Sequence, residues 1–317
     1  MSRIALHTDA REDIASSGDQ SVAQTRAKAP LARVYGVLAV GLVCIAFSAI
    51  FTKDAQVPGT VSAFYRVGIA AIFLAPLFFR NVSRGNVVRG RHIWLLAAAA
   101  GIFFMLDLGI WNTSLFLTNA ANATLLANDA PIIVGLVAVL IFRERLRISY
   151  WMGLAIAVCG MGIIVGLDIF SGSGFGVGDA LAMGAGFFYA CYMLVIQRVR
   201  VHMDTLSTLW ISTVVGTALL FALNLALGYA MWGFTPHQYV QLFLLGLVSQ
   251  VIGYLAINYA LGHLPASVVS PTLLGQPVLT ALLAVPLLGE ALEAHQIIGG
   301  IVALVGIFLV NRSVNRH

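Results

Sequence analysis

Charged side chains are scarce in this chain. Asp, Glu, Lys and Arg make up 10% of its 317 residues, where an ordinary soluble domain carries roughly 25%. Hydrophobic residues make up 60% and the mean hydropathy is +0.92. A water-soluble core of this size cannot bury so many apolar side chains, so the composition points to an integral membrane protein. Cysteine is also rare. Cys44, Cys159 and Cys191 all fall in apolar runs without CxxC spacing, which argues for packing and against redox or metal roles. No HExxH, GxSxG or P-loop sequence occurs. His92, His202, His237, His263 and His295 lie near the ends of apolar runs and do not converge. An enzyme, an ATP-driven pump, a metal site and a cofactor are therefore not expected.

Residues 1–32 are polar and lack the apolar core of a secretory signal, so they read as a cytoplasmic tail. Ten apolar runs follow, at about 33–52, 58–79, 92–115, 119–142, 148–167, 177–198, 205–230, 237–262, 265–288 and 293–311. Each is near the ~20 residues that cross a bilayer as a helix. The expected fold is an all-α integral membrane protein with ten transmembrane helices. The fourth and ninth runs are the least uniform, with internal prolines and polar residues. With the N-terminus inside, Arg80, Arg84, Arg89 and Arg91, then Arg143, Arg145 and Arg147, then Arg198 and Arg200 fall in cytoplasmic loops. Only Lys53 falls outside, and Arg66 falls within the membrane. Both termini are therefore expected in the cytoplasm, and the net charge of +5 reads as a topology signal, not as nucleic-acid affinity.

Displacing the chain by 146 residues aligns the third to fifth runs with the eighth to tenth. Asn112 then meets Asn258, Pro131 meets Pro277, Glu144 meets Glu290, Gly153 meets Gly299 and Gly160 meets Gly306. Five is odd, so a second half of five helices enters the membrane from the opposite side. The expected organisation is two inverted five-helix repeats, 33–170 and 171–311, followed by a short C-terminus at 312–317. Inverted repeats recur in secondary transporters, with the substrate site between the halves near the midplane. The stretches TNAANATLLANDAPIIVGLVAVLIFRERL and LPASVVSPTLLGQPVLTALLAVPLLGEAL, each followed by a glycine-spaced helix, resemble the EamA family of the drug/metabolite transporter superfamily. The resemblance runs from about Arg33 to Asn311. It implies export or exchange of small metabolites, amino acids among them, across the bacterial inner membrane. Asp107 and Asp129 align with Gly253 and Gly275, so these acids belong to one half only.

Three ionisable residues lie well inside the expected spans: Arg66, Asp107 and Asp129. At 1.5 Å per residue, they sit roughly 12, 12 and 15 Å from the outer ends of their helices. An intramembrane charge costs about 2.5–3.5 kcal/mol or more, so such residues turn inward and mark substrate or proton paths by default. Two carboxylates facing one guanidinium leave one negative charge over. A proton, a bound cation or a substrate ammonium can balance it, which makes Asp107 and Asp129 proton-coupling candidates; a permanent ion pair holding three helices together is the structural alternative.

Helical spacing adds further candidates for substrate contact. Asp107 and Trp111 share a face with Ser114, Asn122 shares one with Asp129, and Gln250, Tyr254 and Asn258 recur every four residues. Gln276 does so with Thr272 and Thr280, and Tyr189 and Tyr192 follow Phe188. Pro131 and Pro277 are candidate hinges that free the carbonyls of Ala127 and Leu273. Gly153/Ala157 and Gly162/Gly166 suggest close helix packing.

The expected partners are a small-molecule substrate, protons and the lipid bilayer, with the oligomeric state left open. A zwitterion fits best, with Arg66 at its carboxylate and an Asp at its ammonium. The alternative is a proton-coupled exporter of cationic drugs or amines. Small multidrug exporters of the superfamily carry an essential acid in their first span, and the first run here has none before its end.

Overall fold

The computed structural model describes residues 30–84, 90–114, 117, 126–165, 176–288 and 294–314. All regular structure among the described residues is helical. The helices are α1 (Leu31–Ala55), α2 (Gly59–Ser83), α3 (Arg91–Ser114), α4 (Ala130–Leu140), α5 (Ile148–Val165), α6 (Val177–His202) and α7 (Thr205–Ala226). Then come α8 (Pro236–Leu244), a π-helical stretch (Leu245–Gly253), α9 (Tyr254–Leu261), α10 (Ala266–Leu273), α11 (Gly275–Leu288) and α12 (Ala294–Val314). Residues 1–29, which hold most of the expected cytoplasmic tail, together with Asn122, Gly166 and Glu290, lie outside the described residues.

Six helical runs among the described residues are long and apolar enough to cross a membrane: Leu31–Thr52, Gly59–Ser83, Arg91–Ser114, Val177–His202, Thr205–Ala226 and Pro236–Leu261. Three shorter apolar segments, Ala130–Leu140, Ile148–Ile163 and Ile297–Ser313, accompany them. The outer surface is itself apolar. Ile72, Leu77, Phe79, Leu140, Ile301 and Phe308 are each at least half exposed, a pattern that suits lipid and not water.

Local chemistry sets the helix ends. Asp204 caps α7 by accepting from the Ser207 N–H at 3.0 Å. Thr235 and Gln238 form a reciprocal capping box at α8, with Pro236 in its first turn. Gln56, at φ 49°, stops α1 in a left-handed turn before Pro58 opens α2.

The helices pack in a paired pattern. α3 lies against α6 and α7, while α1 lies against α9 and the π-helical stretch. The latter also packs on α2, and α2 packs on α7. α4 meets α6 as α11 meets α1, and α5 packs along α12. Glycines bring the α5 and α12 backbones together. A Cβ on Gly153 would lie 3.0 Å from the Gly306 carbonyl oxygen, and one on Gly160 would lie 2.7 Å from that of Gly299. Small residues allow such approach where burial in lipid gives no hydrophobic drive between helices. Gly162 does not take part, since a Cβ there meets nothing within 4 Å.

Polar ties join the bundle away from its centre. Thr60 donates to the Asn224 side chain at 2.7 Å, and Asn224 donates back to the Thr60 carbonyl at 3.0 Å. Ser267, in the first turn of α10, donates to Glu144 at 2.9 Å, and the Ala266 N–H donates to Gln197 at 3.0 Å. Arg200, expected as a loop charge, is buried. It donates to the carbonyls of Asn258 and Met203 and fills the space over Gly262. A guanidinium offers enough N–H groups to satisfy carbonyls freed at a helix end.

Gly160→Ala should destabilise the protein by about 1–3 kcal/mol, because the added methyl must displace backbone in α12. Gly162→Ala should leave the melting temperature unchanged or slightly raised. Thermal unfolding of the two variants in detergent compares them directly.

Candidate functional site

Two of the expected spans are broken where sequence uniformity is lowest. In the fourth, Leu126 and Ala127 are helical, Asn128 and Asp129 form a turn, and α4 restarts at Ala130. In the ninth, α10 ends at Leu273 and α11 restarts at Gly275. A three-residue hydrogen bond tightens each break, from the Asp129 N–H to the Leu126 carbonyl at 3.3 Å and from the Leu274 N–H to the Pro271 carbonyl at 3.2 Å. The sequence reading has Pro131 and Pro277 interrupting running helices as hinges, whereas in the structure neither does. Each lies in the first turn of a new segment, where its missing N–H has no intrahelical partner to lose. The Ala127 carbonyl faces Gly186 of α6, within 2.7 Å of where a Cβ would sit.

Both breaks line one cavity of about 180 Å³. Ala127, Asn128, Ala130 and Pro131 form one wall, and Leu273, Leu274, Gln276 and Pro277 form another. Arg66 of α2, Asp107 and Trp111 of α3, and Tyr189 and Tyr254 complete it. The N-terminal ends of α4 and α11 thus border the same space. Unpaired N–H groups and the helix dipole make such ends favourable for an anionic group.

Arg66 is held from three sides. Its Nε donates to Gln250 Oε1 at 2.9 Å, its Nη1 reaches Ser48 Oγ at 3.5 Å, and its guanidinium carbon lies 5.3 Å from the centre of the Tyr254 ring. A guanidinium has five N–H donors, so this grip leaves others for a ligand. Asp107 lines the same cavity, yet no nitrogen–oxygen contact within 4.0 Å joins Arg66 to Asp107 or to Asp129 among the described residues. The three-way ion pair considered from sequence is therefore not formed. Opposite charges instead share a cavity while standing apart.

Asp129 departs furthest from expectation. It occupies the N-cap of α4 without a capping hydrogen bond, and it does not line the cavity. Its Oδ1 is buried against Gly186 and has no hydrogen-bond partner among the described residues. The turn at 128–129 presents Asn128 to the cavity and turns the next side chain to α6, where the absent side chain of Gly186 leaves room.

The aromatic and amide candidates separate into two layers. Tyr189 and Tyr254 line the cavity, while Tyr192, Gln250 and Asn258 lie behind it and are fully buried. Asn258 donates to the Tyr192 hydroxyl at 3.0 Å and to the Tyr254 carbonyl at 2.8 Å. Phe104 packs on Tyr192 and Tyr254, each at 4.9 Å between ring centres. Asn112, which matches Asn258 in the offset alignment, donates to its own Leu108 carbonyl at 2.7 Å. Both asparagines are thus buried and bonded within the bundle, and neither lines the cavity.

Thr272, Gln276 and Thr280 do not share one face, because the break at Leu274 falls among them. Thr272 contacts Asn311 of α12 at 3.3 Å, whereas Gln276 and Thr280 donate to the Ile45 and Ala46 carbonyls of α1 at 3.3 and 3.0 Å. Ser249 donates to the adjoining Cys44 carbonyl at 3.0 Å. Three successive carbonyls of α1 are therefore gripped from two neighbouring spans. Sequence reasoning missed Ser48, Asn128 and Ser270 as lining residues; small polar side chains at isolated positions gave no periodic signal.

Gln250→Leu should lower stability by about 1–3 kcal/mol, because Arg66 Nε loses its acceptor in a buried setting. Gln250→Glu should retain most of it, since a carboxylate accepts the same hydrogen bond. Melting curves in detergent distinguish the two.

Comparison with known proteins agrees with this architecture. The model of the EamA-like transporter family matches twice, over residues 33–166 and 176–312. An uncharacterized transporter of Bacillus subtilis (strain 168), YwfM, is 24% identical over 262 residues, which cover 79% of this chain and 83% of that protein. An uncharacterized transporter of Archaeoglobus fulgidus is 25% identical over 253 residues, covering 78% and 86%. A crystal structure at 17% identity superposes with a TM-score of 0.76 over 90% of this chain and 98% of the other, which shows a shared fold. Two family matches spanning most of the chain, apolar membrane-length helices and a polar cavity between broken segments lead to one conclusion: the chain belongs to the EamA-like transporter family and is a multi-pass membrane protein.

Proposed function

We propose that the protein is a secondary carrier for amino acids or closely related zwitterionic metabolites, working by alternating access as an exporter. The observation that carries this reading is the pair of unlike charges, Arg66 and Asp107, that line one cavity without touching each other. A solute with a carboxylate and an ammonium satisfies both and leaves no net charge buried. The N-termini of α4 and α11 beside Arg66 add to the preference for a carboxylate. Tyr189 and Trp111 offer apolar faces for the solute's side chain. A cavity of about 180 Å³ is smaller than the roughly 300–1,000 Å³ of drug-sized sites. That size, with Arg66 in the wall, argues against a bulky cationic drug.

The proposal takes the chain as ten spans in two inverted halves, 33–170 and 171–311. Support comes from the paired packing, in which exchanging the halves carries α3 on α6 into the eighth span on α1, and α4 on α6 into α11 on α1. The glycine contacts of α5 with α12 exchange in the same way. The proposed setting is the bacterial inner membrane with both termini cytoplasmic, supported by the arginine distribution.

Ties between the proposed halves lie at helix ends, with Asp54 and His237 3.0 Å apart where α1 ends and α8 begins, and Glu144 bonded to Ser267 where α10 begins. Breaking one set while keeping the other would open the cavity to one side at a time. Asp107, facing the cavity, and Asp129, buried behind it, are the proposed proton carriers.

Uptake of labelled amino acids and of the matching amines into proteoliposomes, with and without a pH gradient, tests the proposal. Arg66→Gln and Asp107→Asn should each reduce amino-acid uptake by about tenfold or more, the loss expected when a charged hydrogen bond goes unmade. Amines should move poorly throughout. Normal amino-acid uptake by both variants under every gradient would sink the zwitterion site. A pH gradient should stimulate the unmodified carrier, and Asp107→Asn or Asp129→Asn should abolish that stimulation.

A further inference from the structure

A second cavity, of about 430 Å³, shares no lining residue with the first and lies between the start of α3 and the end of α6. We propose that it holds an anionic phospholipid of the surrounding membrane, with the phosphate at Arg198 and one acyl chain along the groove. The groove floor is aliphatic, made by Ile93, Leu96, Leu194 and Val195. Phe142, just beyond α4, closes one side, and the Arg198 guanidinium lies 4.2 Å from its ring centre. That contact fixes the cation at the rim. Among the described residues Arg198 has no carboxylate within 4.0 Å and donates no hydrogen bond, so its charge is available to a ligand. His92 and His202 stand at the same rim and add ring N–H donors.

Among the described residues no carboxylate lines the groove. The nearest acids in sequence are committed elsewhere. Glu144 accepts from Ser267, and Asp204 accepts from the Ser207 N–H at the start of α7. Charge complementarity therefore selects an anion, and the aliphatic floor selects one attached to a chain.

The depth suits a lipid. Leu96 is five residues into α3, about 8 Å along the helix, and His92 lies in its first turn. Headgroup chemistry at the rim thus gives way to acyl-chain chemistry within two turns. The flanking side chains Leu95, Leu140, Ile141 and Val201 are more than half exposed, so the groove opens onto the apolar outer surface and not onto the transport cavity. Basic pockets between membrane helices at the cytoplasmic face bind acidic headgroups by this combination of features.

The test is native mass spectrometry of the full chain in detergent. Phosphatidylglycerol and phosphatidylcholine with identical acyl chains are titrated in parallel, with melting temperature as a second readout. Bound phosphatidylglycerol should exceed phosphatidylcholine by about fivefold. Arg198→Gln should bring the two lipids to parity, whereas Arg312→Gln, a basic residue in the last turn of α12, should leave the preference intact. Inorganic phosphate alone should not raise the melting temperature. The double variant His92→Gln/His202→Gln should weaken the preference, and it carries the test if Arg198→Gln itself melts early in phosphatidylcholine. Equal binding of the two lipids, an equal loss in Arg312→Gln, or stabilisation by phosphate alone would each overturn the proposal.

Discussion

A helix can be interrupted inside a bilayer only where the freed backbone groups face protein or a wet cavity. The bundle is organised around that constraint. Its two interrupted spans, at Asn128–Asp129 and at Leu274, both border the central cavity. The neighbouring helices make room for each break. Gly186 lets the Ala127 carbonyl and the Asp129 carboxyl approach α6, and Gln276 turns to the Ile45 carbonyl of α1. Placing breaks there brings two helix N-termini, a guanidinium and a carboxylate to one small space. An uninterrupted helix would have kept its N–H groups bonded along its own axis.

The same economy of contact governs the periphery. Glycines at matched positions let α5 and α12 touch backbone to backbone, while Arg200 and Gln197 satisfy backbone groups at helix ends. Under the proposed alternating access, such closely packed pairs would move as units. The wall of the cavity is held differently, by individual side-chain hydrogen bonds such as Arg66 to Gln250, with Gln276 to the Ile45 carbonyl beside it.

Much of this was legible in the chain before folding. The offset of 146 residues paired Gly153 with Gly299 and Gly160 with Gly306, and the structure has Gly153 against Gly306 and Gly160 against Gly299. Arg66 and Asp107 were expected inside the membrane at similar depth, and both line the cavity. Direction was not legible. Whether Asp129 faces the cavity or α6 depends on a two-residue turn, and a rotation of one residue on a helix moves a side chain by about 100°. The π-helical stretch left no periodic mark either, so Gln250 and Asn258 were expected beside Tyr254 at the solute and instead lie behind it. Arg200 read as a loop charge because burial of an arginine against carbonyls is a tertiary event with no local signature.

The central proposal is that the cavity opens in turn to the two sides of the membrane. Ser270 lines that cavity, and among the described residues its hydroxyl donates within its own helix, to the Ala266 carbonyl at 2.8 Å. A Ser270→Cys variant, with Cys44, Cys159 and Cys191 replaced by alanine, can be labelled with a membrane-impermeant thiol reagent in right-side-out and in inverted vesicles. The account predicts labelling from both sides, slowed in both by the transported solute. Labelling from one side only under every condition, or from neither, would contradict it.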